Sequence, residues 1–236
     1  MKGIILAGGK GSRLYPITKA ISKQLLPVYN KPMIYYPINT LNKIGIKDIL
    51  IITTQEDQVY FKNLLINNDD FNINFDFKIQ KEPNGIAEAL IIGEKFINNE
   101  DVCLILGDNL IFDSNIILNK TLNKSSRIFV KKVMNPNRYG VLEESNSKPI
   151  KVHEKPIKFI SNNAVIGIYM YSSNVVKLVK DLQPSSRGEL EITDLNNIYI
   201  KNDDCDIIHL ENKSVWFDSG TFDDLLEASN YVKSNC

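Results

Sequence analysis

The sequence has no excess of charge of either sign and no long apolar run. Its 28 Lys and Arg residues balance 28 Asp and Glu residues, so no long-range field exists to attract nucleic acid or an anionic membrane. The apolar start is followed at once by glycine and charge, and no stretch approaches the roughly 20 apolar residues of a membrane span. We therefore expect a cytoplasmic protein that binds neither nucleic acid nor membranes and holds any anion by local geometry.

Cysteine and histidine are scarce. Cys103, Cys205 and Cys236 are odd in number and form no CxxC motif, which argues against a disulfide framework and a metal knuckle. Cys103 and Cys205 lie in apolar runs, which predicts core positions for both. His153 and His209 lie far apart without a helix-spaced partner, so neither a zinc site nor a Ser-His-Asp triad is supported.

Apolar segments of strand length alternate with helical patterns through the first half of the chain. After the opening KGIILAGG, strands are predicted at 49–53, 75–80, 102–106, 128–131 and 165–171, and helices at 33–44, 58–65, 86–96 and 115–122. The later pattern predicts strands at 140–143, 150–154 and 206–210 and helices at 174–182, 191–201 and 223–232. Such alternation implies βαβ crossovers, so we predict the α/β class with a mainly parallel sheet covered on both faces.

A glycine-rich loop follows the first strand. Gly8, Gly9 and Gly11 leave room for backbone N–H groups to close around phosphate oxygens, and Arg13 adds a fixed positive charge. Lys23 supplies a second cation nearby in the sequence. The loop matches neither the Walker pattern nor the dinucleotide fingerprint, so a purely structural turn stays open as an alternative.

Two aspartates follow apolar segments, Asp108 in LILGDN and Asp218 in VWFDSGT. Ligands bind at the carboxyl ends of strands in open α/β sheets, and Mg²⁺ prefers one or two carboxylates together with substrate phosphates. The interpretation is therefore that both aspartates end strands of one sheet and share a cation. The alternative for the second segment is helix capping by Ser219 or Thr221.

A glutamate–lysine pair, Glu154 and Lys155, follows a predicted short strand. The lysine suits a phosphate as a point charge, and the glutamate suits sugar hydroxyls as an acceptor. Without further context, an exposed ion pair is the simpler interpretation.

Taken together, several segments resemble the glucose-1-phosphate thymidylyltransferase family in order and spacing over essentially the whole chain. They are MKGIILAGGKGSRLYPITKAISKQLLPVYNKPMIYYP, QKEPNGIAEAL, LGDN, NRYGV, EKP, AVIGIY, RGELEITD and WFDSGT. The resemblance implies a Rossmann-like three-layer fold in a single domain, 1–236. Residues 1–131 would form mainly the nucleotide-binding core and residues 132–236 mainly the sugar-binding part.

The resemblance also implies the site residues. The nucleotide-binding set is Leu6, Gly8, Gly9, Gly11, Ser12, Arg13, Gln80, Gly85 and Asp108. Within it, Gln80 through its side-chain amide and Gly85 through a backbone group would recognise the pyrimidine edge. The sugar-binding set is Asn109, Tyr139, Gly140, Glu154, Lys155, Val165, Thr193 and Trp216. The Mg²⁺ ligands would be Asp108 and Asp218, and the catalytic cations Arg13, Lys23 and Lys155.

The chain departs from the family pattern in two places. Ile166 stands where the family commonly has threonine beside the sugar pocket, and the sequence stops at Cys236, soon after WFDSGT. In its length after WFDSGT, the chain resembles the short form of the family, which lacks a C-terminal extension. We therefore expect feedback inhibition by dTDP-rhamnose to be weak and competitive. The family resemblance also implies a homo-oligomer, a dimer or a tetramer.

The implied reaction is the in-line attack of a sugar 1-phosphate on the α-phosphorus of dTTP, with pyrophosphate as leaving group. A related uridylyl- or cytidylyltransferase is the first alternative, because a single methyl group discriminates by only about 1–3 kcal/mol. A nucleotide-sugar sensor without turnover is the second, and the presence of Arg13 and both metal aspartates argues against it.

Overall fold

The computed structural model describes residues 1–66, 71–112 and 121–235. Its strands are β1 Lys2–Ala7, β2 Pro27–Val28, β3 Lys31–Pro32, β4 Asp48–Thr53, β5 Asn74–Ile79, β6 Val102–Leu106, β7 Asn109–Phe112, β8 Ser126–Lys132, β9 Gly140–Ser145, β10 Lys148–Glu154, β11 Asn163–Tyr171, β12 Cys205–His209 and β13 Val215–Asp218. Its α-helices are α1 Tyr35–Lys43, α2 Gln58–Leu65, α3 Glu88–Ile92, α4 Glu94–Ile97, α5 Val175–Lys180, α6 Ile192–Lys201 and α7 Phe222–Asn235.

A mixed central sheet organises the molecule in the order β10-β9-β11-β6-β1-β4-β5, with β8 pairing β11 and β12. Strands β6, β1, β4 and β5 pair in parallel, whereas β11 runs antiparallel to its neighbours β6, β8 and β9. The central parallel strands are buried on both faces, which explains their nearly continuous apolar sequences. The α/β class with a Rossmann-like sheet is confirmed.

Apolar side chains alternate along the strands and build one core on each face of the sheet. Ile4 and Leu104 join the cluster covered by α3, α5 and α6. Their neighbours Ile5 and Ile105 join the cluster covered by α1 and α2. Successive strand residues point to opposite faces, and full burial of one such side chain contributes about 1.5–3 kcal/mol. The two cores hold the carboxyl ends of the strands in fixed positions.

Most predicted elements are present with small shifts of their ends, and one helix is divided. The helix predicted at 86–96 is two short helices separated at Gly93, where an added Cβ would lie 2.6 Å from Ile4 Cδ1. Residues 115–120 of the predicted 115–122 helix lie outside the described residues. Cys103 and Cys205 are buried, as predicted, and no described helix has the length and apolarity that crossing a membrane requires.

The prediction that Asp108 and Asp218 end strands of one sheet is wrong. Asp108 follows β6 of the central sheet, but Asp218 lies in β13, which pairs with β7 in a separate two-stranded antiparallel sheet. The reason is that the chain leaves the central sheet directly after Gly107 and continues as β7. This ribbon pairs Asp218 with Asn109, and Ser219 N donates to the Asp108 carbonyl at 3.1 Å, so the two aspartates still become neighbours.

Helix α7 is capped at its N-terminus by the Thr221 side chain. The Asp224 N–H donates to Thr221 Oγ1 at 3.2 Å, and the Thr221 hydroxyl donates to the Asp224 carboxylate at 2.7 Å. Of the two predicted capping residues, Thr221 is therefore the cap. Ser219 is instead fully buried, and no described residue bonds its hydroxyl.

Candidate active site

A cavity of about 520 Å³ opens at the carboxyl end of β6, beside the amino-terminal part of the antiparallel strand β11. The predicted site residues that line it are Arg13, Asp108, Asn109, Tyr139, Gly140, Glu154, Lys155, Val165, Thr193, Trp216 and Asp218. They come from both halves of the sequence. The structure therefore brings all eight predicted sugar-binding residues to one concave surface. Arg13 of the glycine-rich loop and both predicted metal ligands line the same surface.

Asp108 is held in its charged form by a buried lysine. Its Oδ2 forms an ion pair with Lys23 Nζ, and its Oδ1 accepts from Asn109 Nδ2 at 3.1 Å. Burial alone would raise the pKa of Asp108, but the Lys23 ammonium and the Asn109 hydrogen bond hold that pKa below its usual value. Lys23 itself is buried behind the aspartate and is not part of the cavity lining.

Asp218 has the opposite electrostatic environment. Burial and then repulsion from Asp108 raise its pKa to about 6. Two neighbouring carboxylates, only one of which is neutralised, form a site with unsatisfied negative charge. A hard divalent cation that shares its coordination shell with phosphate oxygens fits this donor set. No cluster of three or more His, Cys, Asp or Glu ligands occurs in the described part of the chain, so the set does not resemble a structural zinc site.

Asn109 was predicted to bind sugar, and its side chain connects three elements of the site. Its Oδ1 accepts from Trp216 Nε1 at 2.7 Å and from Gly167 N at 2.9 Å, while its Nδ2 bonds Asp108. These bonds use the side-chain oxygen fully. Asn109 therefore links β7 to β11 and β13 through its side-chain hydrogen bonds.

We expect Gly167→Ala to destabilise the fold by about 1–3 kcal/mol, the usual cost of overpacking a filled interior. An added Cβ would lie 2.6 Å from Asn109 Oδ1, and Asn109 is too buried and too fully bonded to move aside. The matched control is Gly9→Ala in the predicted phosphate loop, where an added Cβ meets no atom within 4 Å. Urea unfolding of both variants checks this, and equal stability of Gly167→Ala and wild type would contradict it.

The sugar-side carboxylate is Glu154, at the end of β10. Its Oε2 accepts from Thr193 Oγ1 at 2.6 Å, and its Oε1 lies 3.5 Å from Lys155 Nζ and 3.7 Å from Arg187 Nη2. Lys155 has a left-handed backbone with φ 41°, a conformation that costs energy in a non-glycine residue and is common at functional sites. The ion pair between Glu154 and Lys155 that the sequence predicts is present. Both residues line the cavity, so the pair also lies where a ligand can contact it.

An aromatic wall closes another side of the cavity. Tyr139 and Trp216 meet edge to face with ring centroids 4.9 Å apart. Arg138 packs over the Tyr139 ring and donates to both carboxylate oxygens of Asp224 at 2.6 and 3.3 Å. Burial raises the pKa of Tyr139 to about 12, so its hydroxyl stays protonated at neutral pH. This wall offers ring faces and an O–H group to a polyol ligand.

Sequence reasoning missed Arg187, which lies beside Glu154, and Asn196, which lines the cavity. Arg187 bonds both carboxylate oxygens of Glu191 at 2.8 and 2.9 Å and still reaches towards Glu154. Asn196 lines the cavity, and its Oδ1 accepts from the Tyr171 hydroxyl at 2.7 Å. The 3.6-residue period of α6 would have placed Asn196 on the face of Thr193. No local signal separates Arg187 from an ordinary surface arginine among acidic neighbours.

The glycine-rich loop borders this cavity through Arg13. Leu6, Gly8, Gly9, Gly11 and Ser12 are not among the lining residues, and the Leu6 carbonyl accepts from Gly107 N at 2.9 Å. The Arg13 guanidinium lies against Gly220, where an added Cβ would be 3.0 Å from Nη2. The phosphate-binding role of the loop therefore stays a prediction, with Arg13 as its contact to the aspartate pair.

Gln80 and Gly85 lie together outside the cavity lining. Gly85 has φ 104°, and an added Cβ would lie 2.4 Å from the Leu190 carbonyl oxygen, so only glycine fits. Gln80 Nε2 donates to Gly85 O at 3.2 Å and to Glu88 Oε2 at 2.7 Å. The N–H groups of Gln80 are therefore used within the protein, and its Oε1 is the atom left to face a ligand. Recognition of the pyrimidine edge by Gln80 and Gly85 stays a prediction.

Ile166 does not lie beside the cavity. It is fully buried in the core on the opposite face of β11, whereas its neighbours Val165 and Gly167 line the cavity. Alternation along the strand is the cause. The departure from the family's threonine therefore does not alter the cavity surface.

Comparisons with known proteins agree with this geometry. The model of the family described as Nucleotidyl transferase matches residues 2–235. The chain belongs to the nucleotidyl transferase family. A glucose-1-phosphate thymidylyltransferase of Neisseria meningitidis is 46% identical over 241 aligned positions, covering 99% of this chain and 83% of the relative. One of Mycolicibacterium smegmatis is 43% identical over 240 positions, with the same coverage.

Solved structures place this nucleotidyl transferase among sugar-nucleotide enzymes. A crystal structure from Bacillus anthracis, described as a candidate glucose-1-phosphate thymidylyltransferase in complex with a sucrose, matches with a TM-score of 0.93 and 40% identity, covering 100% of this chain and 96% of that one. A UDP-glucose pyrophosphorylase with bound UDP-glucose matches with a TM-score of 0.86 and 25% identity, covering 100% and 99%. Members of this family generally depend on a metal ion.

Proposed function

We propose that this nucleotidyl transferase joins dTTP to α-D-glucose 1-phosphate and forms dTDP-glucose and pyrophosphate. The observation that carries the proposal is a single cavity. It joins Arg13, Asp108 and Asp218 to Glu154 and Lys155. A triphosphate needs the first group of charges, and a sugar phosphate needs the second. The similarity to thymidylyltransferases at 46% and 43% identity supports this choice of nucleotide and sugar.

On the nucleotide side, we assign Asp108 and Asp218 to a Mg²⁺ ion that neutralises charge on the nucleotide phosphates when it is bound. Lys23 keeps Asp108 ionised and supplies positive charge at the same carboxylate. The N–H groups around Gly8, Gly9 and Gly11 are assigned to phosphate oxygens. Arg13 stabilises the negative charge that develops on the leaving pyrophosphate.

On the sugar side, Lys155 holds the phosphate and Glu154 accepts hydrogen bonds from sugar hydroxyls. The Thr193 hydroxyl orients Glu154 through the 2.6 Å bond to its Oε2. The Arg187 guanidinium, which is paired with Glu189 and Glu191 and lies 3.7 Å from Glu154, helps to hold the Glu154 carboxylate in place. Tyr139 and Trp216 provide the wall against which the sugar ring packs.

The chemistry is a direct in-line displacement. A phosphate oxygen of the sugar 1-phosphate attacks the α-phosphorus of dTTP, a new P–O bond forms, and the bond to the β-phosphate oxygen breaks. A phosphate monoester is already ionised near neutral pH, so no protein nucleophile or general base is required. Catalysis therefore consists of alignment and charge neutralisation by the residues assigned above.

We expect dTTP with glucose 1-phosphate to give the highest kcat/KM in a panel of nucleoside triphosphates and sugar 1-phosphates assayed by pyrophosphate release. UTP should be used with kcat/KM lower by about 10- to 100-fold, because only the methyl and ribose contacts distinguish it. Purine nucleotides should give far less. A preference for ATP or GTP would contradict the predicted recognition of a pyrimidine edge by Gln80 and Gly85, and a preference for UTP would assign the chain to uridylyl transfer.

A further inference from the structure

Gln80 has a fixed amide orientation because both of its neighbours are hydrogen-bond acceptors. One end of its side-chain amide lies 3.2 Å from the Gly85 carbonyl oxygen and 2.7 Å from Glu88 Oε2. A carbonyl and a carboxylate accept hydrogen bonds and do not donate them. The atom at that end must therefore be nitrogen, since the reversed amide would place an oxygen against two oxygens.

Glu88 is itself held in place by a third side chain. Its Oε1 accepts from Asn84 Nδ2 at 2.9 Å, which leaves Oε2 directed at Gln80. Glu88 is the first residue of α3, so its position follows from the backbone of that helix. The carboxylate is thus braced on one side and bonds Gln80 on the other.

The same orientation turns Gln80 Oε1 away from Glu88 and towards the start of the phosphate loop. An added Cβ on Gly8 would lie 3.1 Å from this oxygen, so glycine keeps the approach to it open. No described residue donates a hydrogen bond to Oε1, although Gln80 as a whole is 7% exposed. A well-positioned acceptor without a protein donor is left for a ligand.

We propose that Glu88 is a positioning residue for base selection: by fixing the amide of Gln80, it makes Oε1 an obligatory acceptor that selects a nucleobase with an N3–H. This rests on the proposed function and on the contact of Gln80 with the base that the family resemblance implies. Thymine and uracil carry a proton on N3, whereas cytosine presents a lone pair there. An acceptor facing cytosine N3 leaves two lone pairs opposed, so the site rejects cytosine nucleotides rather than merely preferring thymine.

Glu88→Gln tests the proposal with almost no change of shape. A glutamine at position 88 can donate its own amide N–H to a reversed Gln80, and this new bond offsets the contact of the reversed oxygen with the Gly85 carbonyl. The Gln80 amide can then present its N–H groups to the base. We expect the ratio of kcat/KM for dTTP to that for dCTP to fall at least about tenfold, with the dCTP value rising. The preference for dTTP over dCTP should fall to the same extent in dissociation constants, measured by calorimetry without sugar phosphate. The reason is that the effect concerns binding of the base.

Asn84→Ala is the matched control, since it removes the brace but keeps the acceptor at Gln80. We expect its dTTP to dCTP ratio to stay within about threefold of wild type. An equal fall of the dTTP to dCTP ratio in Asn84→Ala and Glu88→Gln would overturn the proposal. The effect would then come from a general disturbance of the loop that carries Asn84, not from the orientation of the Gln80 amide. An unchanged ratio in a folded Glu88→Gln protein would overturn it as well.

Gln80→Ala separates this proposal from the function on which it rests. If Gln80→Ala abolishes discrimination and Glu88→Gln does not change it, the role of Glu88 is refuted and base contact by Gln80 stands. If Gln80→Ala leaves the ratio unchanged, base contact by Gln80 is refuted and the role of Glu88 falls with it.

Discussion

Asp108→Asn is expected to lower kcat by about a thousandfold or more, since a lost metal ligand costs several kcal/mol of transition-state stabilisation and each 1.4 kcal/mol is a factor of ten. The substitution keeps the shape of the side chain and its place after β6. It removes the charge that faces the cavity beside Asp218. Steady-state pyrophosphate release at several Mg²⁺ concentrations measures the effect, and near-normal Mg²⁺-dependent turnover would remove Asp108 from the metal site.

The same substitution should also destabilise the metal-free protein. Lys23 is buried against Asp108, and loss of the carboxylate charge leaves its ammonium without a counter-ion, at a cost of about 1–3 kcal/mol. The expected result is a lower free energy of unfolding at neutral pH. Urea unfolding in the presence of a chelator measures it.

Asp218→Asn is the matched control, because it should lower turnover to a similar degree while it stabilises the metal-free protein. The raised pKa of Asp218, about 6 against an ordinary 3.8, means that the folded protein binds this proton more tightly than the unfolded chain does. Stability therefore falls as the pH rises from about 4 through 6. Replacing the carboxylate removes this penalty, a gain of about 3 kcal/mol at pH 7.5 that disappears below about pH 4. Destabilisation of both variants at pH 7.5 would contradict the proposed charge distribution.

How much of the site the sequence predicts depends on how far apart its members lie along the chain. The carboxyl end of β6 and the aspartate that follows it are adjacent in sequence, so an apolar run ending in Gly-Asp is enough to predict Asp108 as a ligand candidate. Lys23 pairs with it across 85 positions, and Trp216 bonds Asn109 across 107. The second contact depends on the pairing of β7 with β13, and the first on the packing of the segment around Lys23 against the end of β6. No local pattern exists for either.

The surroundings of Ile166 and Gln80 differ in how far the sequence could predict them. Ile166 faces the core because strand residues alternate, and the period of two along β11 would have predicted this without a structure. The donors of Gln80 are used by Gly85 and Glu88, and that depends on a turn with φ 104° at Gly85 packed against Leu190. A residue's family role can be transferred from its motif, whereas its hydrogen-bonding state depends on neighbours that the motif does not specify.

Arg13→Ala is expected to lower kcat by about 100- to 1000-fold and to change KM for dTTP much less, because its charge acts mainly on the developing pyrophosphate. Arg13 lines the cavity beside Asp218, and no described carboxylate lies within ion-pair distance of its guanidinium. Its charge is therefore available to a ligand. Arg138 is the matched control, since it lines the same cavity but is neutralised by Asp224, so Arg138→Ala should reduce kcat much less. Steady-state kinetics with dTTP varied at saturating sugar phosphate separates kcat from KM. A raised KM with unchanged kcat in Arg13→Ala would show that this arginine binds the ground state and the transition state equally.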